Sequence, residues 1–253
     1  MHYHWNWLIF WQQSPDGGTY LHTLFSGLGW TLAVALTAWA IALALGMMVG
    51  VARTTPLAWL VRLGNAHVEL FRNIPLLVQM FLWYFVVPEL LPDALGDWIK
   101  QIPPPWGSYI PAVLCLGLYT SVRIAEQTKA AIQSLPRGQR YAGTAMGLTQ
   151  WQTYRYVILP QAVRIILPPL TSEFMNIIKN SSVALTIGLM ELTGRAKAMQ
   201  EFSFQVFEAF AAATAIYMLT NLVVVLAMRW LERKVRVPGL IAATGGAQAA
   251  AAH

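Results

Sequence analysis

The chain has 253 residues, of which 57% are hydrophobic and 11% charged, and its mean hydropathy is +0.49. A soluble domain carries about 25% charged residues, so this composition excludes a soluble enzyme, a disordered chain and a disulfide-stapled secreted domain. The net charge of +6 does not mark a nucleic-acid binder, because the Lys and Arg fall between apolar runs and form no basic face interleaved with aromatics.

A membrane-spanning helix needs about 20 mostly apolar residues. Residues 1–24 are rich in His and Trp and lack the basic start of a cleaved signal. They read as a segment ahead of the first span, 25–51. Within that span Gly46 and Gly50 have the spacing that lets helices pack closely. The second candidate covers 75–91, after a polar lead-in at 68–73. The third runs over about 109–128 and holds the single cysteine, Cys115, which can form no internal disulfide. A polar stretch, 133–156, follows. The fourth candidate, 166–190, is interrupted by Glu173 and Lys179, and the fifth is 210–230. Beyond Pro238 the Ala/Gly-rich tail 239–253 has no pattern and reads as disordered.

The fold class is therefore an all-α integral membrane protein of five transmembrane helices. One set of loops holds Arg53, Arg62, Arg72, Lys129, Arg137, Arg140, Arg155, Arg164, Arg229, Arg233, Lys234 and Arg236; the other holds only Lys100, Arg195 and Lys197. The positive-inside rule then places the N-terminus outside and the C-terminus in the cytoplasm. No GxxxxGK[ST], HExxH or GxSxG occurs, and none of His2, His4, His22, His67 and His253 lies in mid-span. Neither a nucleotide-hydrolysing site of that kind nor a catalytic or metal centre is expected in this chain.

The polar stretch at 137–160 contains Tyr141-Ala142-Gly143, then Gly147, then Val157-Ile158-Leu159-Pro160. It predicts two short helices with a break at Gly147, stopping before Pro160. A short helix lined by Ala142, Ala145 and Met146 suits docking into another protein's groove, and equally suits lying on lipid.

This segment resembles the EAA loop of bacterial ABC importer permeases: EAA, three residues, Gly, nine residues, then I-x-L-P. The spacing matches, with Tyr141 where the pattern has Glu and Gly143 where it has Ala. Glu69-Leu70-Phe71-Arg72-Asn73-Ile74-Pro75 and Ala131-Ile132-Gln133-Ser134-Leu135-Pro136-Arg137-Gly138-Gln139 resemble the polar amino acid permease family. Trp83-Tyr84, Pro88-Glu89-Leu90-Leu91-Pro92 and Glu232-Arg233-Lys234-Val235-Arg236 are similar to its glutamate/aspartate subgroup. The resemblance implies a permease subunit of the inner membrane that pairs with a second permease, most simply a homologue in a heterodimer. It also implies a dimer of ATP-binding cassette ATPases, which hold the ATP and Mg, and a periplasmic binding protein that delivers the amino acid. It implies acidic substrates, with glutamine or another polar amino acid as the alternative and an ion-coupled carrier as a remote one. The coupling loop would consist of Tyr141, Ala142, Gly143, Gly147, Leu159 and Pro160.

Ionisable side chains within spans cost about 2.5–3.5 kcal/mol and are functional hypotheses by default. Glu69 and Arg72, and likewise Arg123 and Glu126, are three residues apart, so each pair is expected to be a structural ion pair. Lys179 has no acid three or four residues away, and Asn180-Ser181-Ser182 follow it. These four residues are expected to meet the substrate carboxylate; the alternative is that Lys179 snorkels or pairs with the partner permease. By the resemblance Glu173 is a cavity position that meets the substrate amino group. Pro75 and the run 180–182 are expected to break helices and open backbone to a cavity.

Overall fold

A computed structural model describes residues 3–15 and 17–235. Among the described residues there is no strand, only a bridge between Gln13 and Thr19. The helices are α1 (Tyr20–Ala52), α2 (Ala58–Arg72), α3 (Leu76–Phe81), α4 (Val87–Leu90), α5 (Asp93–Lys100), α6 (Trp106–Ser134), α7 (Arg137–Ala145), α8 (Gln150–Thr153), α9 (Leu159–Asn180), α10 (Leu192–Ser203) and α11 (Val206–Val235). The tail 239–253, expected to be disordered, lies outside the described residues.

Among the described residues three helices are long and apolar enough to cross a membrane: α1, α6 and α11. They contain the first, third and fifth candidates. The second is built differently from a straight span. Residues 58–90 form two arms bent by 100°. Pro75 ends the first arm, because the residue before a proline avoids the helical region. The carbonyls of Phe71 and Ile74, freed at the bend, accept hydrogen bonds from Gln79 Nε2 at 2.8 and 2.9 Å. Pro75 thus breaks the helix as expected, yet a buried side chain takes these two backbone groups.

The fourth candidate, expected over 166–190, begins earlier, at Leu159, and breaks at 180–182 as expected. The helix ends at Asn180, and Ser181–Ile187 continues as a 3₁₀ segment closed by Gly188 at φ +84°. The Ser181 and Ser182 hydroxyls donate to the carbonyls of Ile178 and Lys179, both at 2.7 Å. This local competition with the backbone is what short hydroxyl side chains do at helix ends.

α1 and α6 form the spine. A Cβ on Gly46 would lie 2.7 Å from Ile124 Cβ and Ser121 O, and one on Gly50 would lie 2.4 Å from Thr128 Cβ. The Gly46–Gly50 spacing therefore does bring two helices together. α9 packs across this pair, with Ile124, Ile158, Ala162 and Ile166 sharing one buried cluster. Trp39 of α1 stacks on Phe174 of α9 at 4.8 Å.

Contacts assign the two ends of the bundle. At one end the start of α1, α10 and α11 meet through Glu191, which accepts hydrogen bonds from Thr31 Oγ1 and Tyr217 Oη. At the other end Tyr154 donates to the carbonyl of Thr54, just past α1, at 2.7 Å. Arg53, Arg137, Arg140 and Arg155 gather at this second end.

Candidate functional site

On α6, Tyr119, Arg123, Glu126 and Gln127 recur at helical spacing, so they form one polar stripe along the helix. The stripe faces Phe71 and Arg72 from the bend of α2 and Glu173 from α9. Together with Val122 these residues line a cavity of about 410 Å³. Glu173 is 7% exposed. Its Oε1 accepts a hydrogen bond from Gln127 Nε2 at 3.1 Å, and Arg123 Nη1 lies 3.7 Å from Oε2. That ion pair is too long for a hydrogen bond. Glu173 Oε2 and Gln127 Oε1 are buried without a hydrogen-bond partner. Buried acceptors in that state attract a donor. Arg123 also donates to Tyr119 Oη at 3.4 Å and lies over that ring.

The ion pairs differ from those expected. Arg123 reaches across to Glu173 rather than along α6 to Glu126. Glu126 instead accepts from Arg53 Nη2 at 3.1 Å. Among the described residues no ion pair joins Glu69 to Arg72; Arg72 faces the cavity and Glu69 is exposed. Three-residue spacing permits a pair, but charges across the bundle compete better when burial removes water from between them.

Of the residues expected to meet substrate, Glu173 lines the cavity, while Lys179, Asn180, Ser181 and Ser182 do not. Lys179 lies six residues beyond Glu173, about 9 Å along the helix and about 120° around it. It is exposed and makes no ion pair among the described residues. Gln127 and Arg53 escaped the sequence reading. The signal for Gln127 was available in the polar stripe of α6; Arg53 looked like an ordinary loop cation.

The loop at 137–160 is a built unit. α7 closes with Leu148 N–H donating to Gly143 O and Gly147 N–H to Thr144 O, both at 3.0 Å. That closure needs a left-handed residue, and Gly147 supplies it at φ +79°. Thr149 then caps α8 in a reciprocal pair with Gln152. Gly143 packs against Thr153, where a Cβ would lie 2.8 Å from Oγ1. The break at Gly147 is as expected; the stop before Pro160 is not. A π turn at Tyr154–Ile158, in which Leu159 N–H donates to Tyr154 O, carries the chain into α9 with Pro160 in its first turn. There the missing N–H of a proline costs least. Docked in this way, the unit leaves Tyr141, Met146 and Trp151 facing outward, 71%, 79% and 69% exposed.

The family model of the binding-protein-dependent transport system inner membrane component matches residues 42–237. The chain belongs to this family. It is a permease subunit of the inner membrane. It is 50% identical over 237 residues to the glutamate/aspartate import permease protein GltJ of Escherichia coli K12, covering 93% of this chain and 96% of that one. It is 31% identical over 233 residues to the glutamine transport system permease protein GlnP of E. coli K12, covering 92% and 98%. A crystal structure of an amino acid ABC transporter with histidines aligns at TM-score 0.71 and 29% identity, covering 85% of this chain and 95% of that one. An inward-facing MetNI methionine ABC transporter, at TM-score 0.69 and 21% identity over 89% and 100%, shares the fold.

Proposed function

We propose that this chain is the translocation subunit of an ATP-driven, binding-protein-dependent importer of acidic amino acids. The observation that carries this reading is the 50% identity to a glutamate/aspartate import permease along nearly the whole chain. The cavity supports it. An acidic amino acid brings one ammonium and two carboxylates. Glu173 Oε2 and Gln127 Oε1, which have no hydrogen-bond partner, are acceptors for the ammonium, and Arg123 and Arg72 are cations for the carboxylates. Beyond the cavity, exposed Lys179 with half-buried Asn180 and Ser182 extends the pathway, while buried Ser181 ends the helix.

In this reading the bundle crosses the membrane five times, with the bent pair and α9 completing the three long spans. Residues 1–24 are periplasmic, 25–238 form the transmembrane domain, and the tail 239–253 is cytoplasmic. The basic end carries the loop inward. The outward face of that loop, Tyr141, Ala142 and Met146 with Trp151, docks in a groove of a separate ATPase dimer, which holds the ATP and Mg. Gly143, Gly147, Leu159 and Pro160 shape the loop rather than touch the partner. The apolar flank of α11, including Leu219, Leu222 and Leu226, is exposed and suits lipid or a second permease. Alternating access then follows from movement of the docked loops.

The test is uptake of labelled glutamate and aspartate into vesicles holding this chain with its co-purifying partners, with and without ATP and binding protein. Uptake that needs both supports the reading. Uptake of glutamine unaffected by acidic competitors would move the substrate to another polar amino acid. Uptake by the chain alone under an ion gradient would overturn the importer assignment.

A further inference from the structure

Arg53 is a nearly buried cation at the end of the first helix. It caps the C-terminal end of α1, a position where the helix dipole favours positive charge. Its side chain is only 7% exposed. Nε donates to Asn65 of α2 at 2.8 Å and Nη2 to Glu126 of α6 at 3.1 Å, while Nη1 is buried without a partner. Room for the stem is made by Gly64, whose Cβ would lie 2.6 Å from Arg53 Cγ. Glu126, the counter-ion, lines the cavity. The next residue after Arg53, Thr54, has its carbonyl taken by the hydroxyl of Tyr154. Tyr154 is buried, begins the π turn of the loop, and sits beneath Arg140 of α7 at 5.5 Å.

We propose that Arg53 is a positioning residue that links occupancy of the cavity to the docked loop, gripping Glu126 at one end and, through the Thr54 carbonyl, Tyr154 at the other. The physical reason is charge balance. Glu126 lies on the cavity wall, so a charged ligand acts on its carboxylate directly. When Glu126 turns toward or away from a ligand, Arg53 is left as a buried cation without its counter-charge. A buried charge in that state must rearrange. The backbone it sits on is the backbone that holds Tyr154. The chain of contacts is continuous, and its two non-covalent links, Arg53 to Glu126 and Tyr154 to Thr54, are discrete bonds that are made or broken. This assignment rests on the reading of 137–160 as the loop that meets the ATPase, but not on which amino acid is carried.

The experiment uses the whole transporter in nanodiscs and measures ATP hydrolysis without binding protein, then with glutamate-loaded binding protein. Tyr154→Phe keeps the buried ring and removes only the hydroxyl that holds Thr54. Arg53→Lys keeps the charge and loses the fork that spans Asn65 and Glu126. Each is expected to leave basal hydrolysis and subunit assembly as in the unaltered transporter and to reduce the stimulated rate about fivefold or more, in the range of ordinary allosteric couplings. The double variant should lose no more than either single one, because both cut the same link. A purely structural role would instead lower basal hydrolysis or assembly along with stimulation. Wild-type stimulation in both single variants, additive losses in the double, or falling basal activity would each overturn the proposal. A transporter stimulated only by binding protein loaded with another amino acid would refute the acidic-substrate reading. The same variants, measured with that amino acid, would then decide the role of Arg53. An unaltered transporter with no stimulation by any loaded binding protein overturns both.

Discussion

Replacing Gly143 with Ala tests the geometry of the loop most directly. A Cβ there would lie 2.8 Å from Thr153 Oγ1, 2.9 Å from Cγ2 and 3.4 Å from Cβ. Favourable contact begins near about 3.5 Å, so α7 and the segment holding Thr153 must part by about 0.6 Å. Overpacking of this kind costs about 1–3 kcal/mol. Exchanging Gly for Ala inside a helix returns about 1 kcal/mol. The net cost is about 0–2 kcal/mol, which changes the ratio of docked to undocked α7 by up to about 30-fold. Thr153→Ala removes both clashing atoms. It forfeits no hydrogen bond, because Thr153 Oγ1 is buried without a partner. The double variant should therefore recover what the single variant loses. Hydrogen exchange of the α7 amides reads the docking, and uptake per ATP hydrolysed reads its consequence. Faster exchange in Gly143→Ala, restored by Thr153→Ala, is the expected pattern. Unchanged exchange and coupling in the single variant, or no recovery in the double, would refute the argument.

Three other outcomes follow from the same geometry. Glu173→Gln keeps the shape of a buried side chain 7% exposed but removes its charge, so substrate KM for uptake should rise about tenfold or more while binding-protein docking is retained; Arg123→Ala should raise KM further than Lys179→Ala, since only Arg123 lines the cavity. Gly147 has φ +79° and a Cβ there would meet nothing within 4 Å, so Gly147→Ala should cost only the about 1–2 kcal/mol of the left-handed backbone, seen as partial uncoupling of hydrolysis from uptake. Gly50→Ala meets Thr128 at 2.4 Å whereas Gly29→Ala meets nothing within 4 Å, so in detergent the first should lower the thermal midpoint of unfolding and the second should leave it or raise it.

Much of the bundle was legible because spanning helices need long, mostly apolar runs, and α1, α6 and α11 each contain one. The loop was legible because its glycines carry geometric duties: Gly147 must be left-handed and Gly143 must lack a Cβ. The ion pairs were not. Spacing along one helix ranks partners only within that helix, and Arg123, Glu126, Arg53 and Glu173 choose partners on different helices. The same limit explains Lys179. A local search finds it without an acid, but it takes the tertiary structure to show that the stripe on α6, not the end of α9, faces Glu173.

The prolines show why the fold could not be read as five straight spans. Val87-Pro88 and Leu159-Pro160 each follow a π turn, in which Val87 N–H donates to Leu82 O and Leu159 N–H to Tyr154 O. A proline inside a regular helix clashes with the carbonyl four residues back and leaves it unpaired. Widening the preceding turn by one residue shifts the bonding to five residues back and lets the chain pass the ring without stopping. A sequence rule that ends a helix at proline therefore fails at Pro160, and the candidate that runs through Pro88 is continuous for the same reason. The consequence at Pro160 is mechanical. α8, the π turn and α9 follow one another without a break, so the loop at Thr153 is joined to Glu173 by one helical path. That path lies beside the contact of Tyr154 with Thr54, so the loop is tied to the cavity from two sides, by a helix that carries a cavity residue and by a hydrogen bond next to the counter-ion of another.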